Sequence, residues 1–85
     1  IALIEIKANP NIEDIKKHLE RMKILRQYYN QDPDKANKEL IGAIAGAVFH
    51  KEVKNIAVKS GFYVFTQSGD TIKLNVPKDF KPRIF

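Results

Sequence analysis

Apolar and polar positions alternate along the chain in a way that marks six elements. Residues 1–7, IALIEIK, hold no turn former and read as a strand, which Pro10 ends because it has no N–H to give a ladder. Side chains two apart share a face, so Ala2, Ile4 and Ile6 project one way and Glu5 and Lys7 the other. Asn11 is suited to cap a helix whose first turn holds Glu13 and Asp14. From Ile12 to about Tyr29 the stripe of Ile12, Ile15, Leu19, Met22, Leu25 and Tyr29 has helical spacing, with Lys16, Lys17, Arg21 and Lys23 largely off it.

A loop, NQDPDKAN, separates this helix from KELIGAIAGAVF. Two glycines within five residues cost a helix about 1 kcal/mol each, which favours a strand here. Gly42, Ile44, Gly46 and Val48 would share one of its faces, and their small side chains would admit a closely packed helix. HKEVKNIAVKSG reads as a short helix with Val53, Ile56 and Ala57 inward and Gly61 at the left-handed C-terminal position. FYVFT is a continuous apolar strand suited to burial on both faces, QSGD is a turn, and TIKLNV places Ile72, Leu74 and Val76 inward on an edge strand. Phe80 and Phe85 are candidates to anchor the Pro-punctuated tail. The expected fold class is α/β, a mixed sheet in the order β-α-β-α-β-β with parallel neighbours.

Length changes the picture first. Eighty-five residues make one domain, 1–85, which buries only about 60–65% of its unfolded surface, so help from a partner chain is expected. The first residue is not Met and no leader pattern precedes the first strand, which suggests a piece of something longer. With no Cys, disulfides and thiolate metal sites are excluded, and the expectation is an intracellular, cytoplasmic protein. The apolar run from Leu40 to Phe49 is far shorter than the roughly 20 residues of a membrane span. Fifteen Lys and Arg against ten Asp and Glu give a net charge of +5, which favours polyanionic partners.

The pair Glu5 and Lys7 carries the candidate chemistry. In order and local pattern, "IEIKANPNIEDIKKHLERM", "IGAIAGAV" and "VFTQSGD" resemble the C-terminal part of an uncharacterised branch of the PD-(D/E)XK nuclease-like superfamily, the restriction-endonuclease-like proteins. That branch has a similar VEVK strand, a Gly/Ala-rich strand, a helix ending KSG, and QSGD and FKPR segments. The resemblance implies a restriction-endonuclease-like core here lacking its N-terminal helix and strands, and a Mg²⁺-dependent DNA endonuclease. Glu5 would ligate the metal, Lys7 would stabilise charge on the phosphate, and Lys16, Lys17, His18 and Arg21 would contact DNA. The superfamily also uses an Asp on a hairpin before the E-x-K strand, so the chain as given is expected to be inactive alone. The alternative reading, from the residues themselves, is a surface ion pair at Glu5 and Lys7 on a catalytically silent nucleic-acid-binding or homodimerisation module, assembling through an open sheet edge.

Overall fold

In the computed structural model, which describes residues 1–85, the first helix begins where Asn11 closes a reciprocal cap. The Asn11 side chain accepts from the Asp14 N–H at 2.9 Å, and the Asp14 carboxylate accepts from the Asn11 N–H at 3.0 Å. Two of the orphan donors of a helix start are thereby satisfied. The elements are β1 (Ala2–Lys7), α1 (Ile12–Asn30), β2 (Ile41–Gly46), α2 (Lys51–Lys59), β3 (Tyr63–Ser68) and β4 (Thr71–Leu74). Gly61, with φ of 87°, turns the chain out of α2, and Gly69, with φ of 61°, makes the β3–β4 hairpin.

The sheet is mixed, in the order β1-β2-β3-β4; β1, β2 and β3 are parallel, and β4 is antiparallel to β3. Glu5 pairs with Ile44 in register, Ala43 with Tyr63, and Phe65 with Leu74. Because the strands follow sequence order, crossovers of the usual right hand bring both helices to the same side. The core records this. Ile15 and Met22 of α1, Val53 and Ala57 of α2, and Leu40, Ile44, Phe62 and Val64 from the sheet side form one buried cluster.

Apart from Phe80 of the tail, which meets the Tyr63 ring, the opposite face of the sheet has no layer over it. There Ile4 is 54% exposed, Ile6 76%, Ile72 69% and Leu74 54%. The expected inward placement of Ile72 and Leu74 is therefore corrected: they lie on the sheet face away from the helices, and only Val76, beyond the strand, packs against the core. Likewise FYVFT is buried on one side alone, at Phe62 and Val64, while Tyr63 and Phe65 are half-buried. The radius of gyration, 13.3 Å, exceeds the ~12 Å of a compact chain this long, as a one-sided sheet should.

Close packing on the covered face depends on the β2 glycines. A Cβ on Gly42 would stand 2.5 Å from Cε1 of Phe62, and one on Gly46 the same distance from Cδ of Pro10. What approaches the strand most closely at Gly42 is thus the Phe62 ring, with His18 of α1 at 3.5 Å from the same point. Below the sheet the tail is pinned by the Arg83 N–H on the Gly61 carbonyl and the Phe85 N–H on the Leu40 carbonyl. Phe85 stacks on Phe62 at 5.9 Å, and Phe80 meets Tyr63 edge-on at 5.1 Å, so both aromatic anchors are in use. Arg26 crowns the α1–β2 loop, donating to the carbonyls of Lys38 at 2.6 Å, Ala36 at 3.1 Å and Lys35 at 3.4 Å, and to Phe85 O at 3.3 Å.

Gly42→Ala should destabilise the fold by about 1–3 kcal/mol, because Phe62 must leave its place over β2. Urea unfolding measures this directly. Ala45→Ser, on the uncovered face, should shift the stability by less than about 0.5 kcal/mol in the same assay.

Candidate functional site

Glu5 and Lys7 point to the helix side of β1 and stand together near its C-terminal end, with Lys7 Nζ 3.7 Å from Glu5 Oε1. Two turns into α1, Arg21 reaches across the sheet edge and donates to Glu5 Oε2 at 2.6 Å. Lys7 also lies 3.9 Å from Asp14 Oδ1, and Asp14 Oδ2 is held by the Asn11 N–H of the helix cap. Every oxygen of these two carboxylates thus faces a cation or a backbone donor. The arrangement fastens α1 to the edge strand; as partly exposed ion pairs its members contribute about 0–1 kcal/mol each.

A divalent cation of the Mg²⁺ type seeks several free oxygen ligands. As they stand, Glu5 and Asp14 do not fit that role, because Arg21 and Lys7 already occupy their oxygens, and nowhere do three or more His, Cys, Asp or Glu side chains converge. Lys16 and Lys17 are exposed and free of ion pairs. Helical spacing puts Lys17 between Asp14 and Arg21, toward the β1 edge.

His18 is a correction. Expected as a contact for DNA, it is only 2% exposed and lies inside, its ring 4.9 Å from that of Phe62. The apolar stripe of α1 contains His18 between Ile15 and Met22, so this side chain is a core group. Its Nε2 bonds the Leu3 carbonyl at 3.2 Å, which makes Nε2 the protonated nitrogen, and Nδ1 has no partner. Burial outweighs the favourable Leu3 carbonyl and the nearby Glu5 charge, and holds the imidazole below its ordinary pKa of 6.5.

The uncovered face offers the larger concave surface. β2 contributes small side chains there, Ala43 and Ala45, between a ridge of Ile4 and Ile6 on β1 and a ridge of Tyr63 and Phe65 on β3. Two hollows follow this floor, one of about 220 Å³ bounded by Ile4, Ala43, Tyr63 and Leu74, the other of about 280 Å³ bounded by Ile6, Ala45, Phe65 and Ile72. Gln67 closes the second at its far end. Sequence reasoning missed this trough. The signal was present in the even-numbered apolar positions of β1 and β4, which were open to a solvent-facing reading once two helices shared one side of the sheet.

The buried imidazole has a measurable consequence. Below pH 6.5 the unfolded chain protonates His18 while the folded chain resists, so the unfolded state binds more protons and stability falls as pH drops from 6.5 through the lower folded-state value. Urea midpoints between pH 7.5 and 5 should show that fall, and His18→Leu should flatten it. In the folded wild type, the His18 ring resonances should titrate below 6.5; a midpoint at or above that pH would contradict the account.

Comparison with models of protein families, with curated proteins and with solved structures finds no match to this chain.

Proposed function

We propose that the chain is a non-catalytic docking module that receives another polypeptide on the uncovered face of its sheet. The observation that carries this reading is the run of Ile4, Ile6, Ile72 and Leu74, each more than half exposed around a floor of alanines. Four strands at ~4.8 Å spacing, with about five residues each at ~3.3 Å, give a face of roughly 320 Å² in projection. Apolar patches of about 300–600 Å² are at the upper end for monomers and often serve binding. Parallel strands that are apolar on both faces are otherwise found with both faces covered. The Glu5 cluster, with its oxygens taken up by Arg21, Lys7 and the helix cap, supports a structural role at the E-x-K pair.

A second reading, Mg²⁺-dependent cleavage of DNA at Glu5 and Lys7, is favoured by the 3.7 Å approach of these groups beside the exposed Lys16 and Lys17. It requires Arg21 to release Glu5.

A photo-crosslinking amino acid at Ile6 or Ile72, in cells that make the chain, should give discrete protein adducts that are absent when the same group replaces Lys59 on α2. Equal adducts from all three positions, or none from any, would dismiss the docking reading. For the second reading, which expects residues 1–85 to bind DNA without cutting it, a labelled duplex with Mg²⁺ should be bound by the wild type with an affinity that falls steeply with salt, and more weakly by Lys7→Ala. Binding that is absent, or that is equal in both and independent of salt, would remove it.

A further inference from the structure

We infer that the occupant of the uncovered face is a second copy of this chain, packed sheet on sheet about a two-fold axis that runs along the strands between β2 and β3. The inference rests on the docking reading above and names the partner.

Surface area asks for a partner of this size. The accessible surface, 5843 Å², exceeds the about 5,100 Å² of a compact monomer of 9.7 kDa by roughly 700 Å². That excess approaches the ~800 Å² that each partner contributes to a stable interface. The two most exposed large apolar side chains, Ile6 and Ile72, both stand on this face.

Register makes the face self-complementary. Across the sheet, Ile4, Ala43 and Tyr63 stand at one height, and Ile6, Ala45, Phe65 and Leu74 at the next. A two-fold axis along the strands keeps each height and reverses the lateral order, so β2 of one copy lies over β3 of the other, and β1 over β4. Ala43 then faces Tyr63 of the second copy, Ala45 faces Phe65, and Ile6 faces Leu74. All four strands overlap without a lateral shift. The two rings enter the hollows of about 220 and 280 Å³ above the alanine floor, in layers ~10 Å apart as in aligned sheet pairs. Phe80 touches Tyr63 but bounds neither hollow, so the furrow stays open to them. An axis across the strands would instead set ridge on ridge and leave the furrow empty.

Charge permits the contact. None of the side chains that the four strands turn to this face is charged, so closing it buries no unpaired ion. The net charge of +5 on each copy opposes pairing only over a longer range, where salt screens it.

Sedimentation equilibrium of the purified chain, from micromolar to millimolar concentration, should show a monomer–dimer equilibrium that tightens as salt is added. Ala45→Glu, which sets a carboxylate against Phe65 of the second copy, should raise the dissociation constant at least tenfold, with the urea midpoint of the dilute monomer unchanged. Ile6→Lys, at the most exposed position of the face, should do the same and decides the matter if Ala45→Glu unfolds. In a mixture of ¹³C-labelled and unlabelled chain, isotope-filtered NOEs should join the Ala45 methyl of one copy to the Phe65 ring of the other, and Ile6 to Leu74. A chain that stays monomeric at millimolar concentration, a dimer that salt weakens or that both substitutions leave intact, or NOEs that join Ala45 to Ala45 would overturn the inference. Adducts of a monomeric chain with other proteins, through Ile6 and Ile72, would leave the docking reading right and the second copy wrong. A monomer that gives no adducts would overturn both.

Discussion

Everything in this structure follows from a handedness constraint applied to strands laid down in order. When β1, β2 and β3 sit side by side in sequence, each right-handed crossover carries its helix to the same side, and α1 and α2 have no alternative but to share it. One face of the sheet then becomes a core. The other is left with apolar side chains and no layer of its own.

On the covered side, the forces are unequal in size. Burying a large apolar side chain is worth about 1.5–3 kcal/mol, and Phe62, completely buried over Gly42 and against His18 and Phe85, is the centre of that contribution. The ion pairs among Glu5, Lys7, Asp14 and Arg21 are individually much weaker. Their role is positional: they set the flank of α1 against the C-terminal end of the edge strand, beyond the point where Leu3 packs on the core. A buried neutral histidine completes this side, and its tolerance there depends on the Leu3 carbonyl that takes its one proton.

Much of the fold could be read from the residues. Asn11 with Asp14, Pro10, the paired glycines of β2, Gly61 and the QSGD turn each have a local physical meaning, and the six elements lie where those signals put them. The adjacency of Glu5 and Lys7 was legible for the same reason, since period-two alternation is local. What could not be read was the lateral order of the strands, which is a long-range property. Without it, the period-two pattern of Ile72 and Leu74 shows that they share a face and not which face is covered. His18 misled for a related reason: an imidazole at a stripe position looks polar until the Leu3 carbonyl of a strand fifteen residues away is known to receive it. Arg21 was legible as basic but its partner Glu5 was not, because that contact spans the first loop.

Arg26 binds together parts of the chain that are otherwise remote. Its guanidinium holds carbonyls from Lys35, Ala36 and Lys38 and also the oxygen of Phe85, so the long loop before β2 and the final residue hang from one cation. Such a shared clasp joins them into a single cooperative opening unit. Amide hydrogens in the loop and in the tail would then exchange with solvent at linked rates, although nearly half the sequence lies between them.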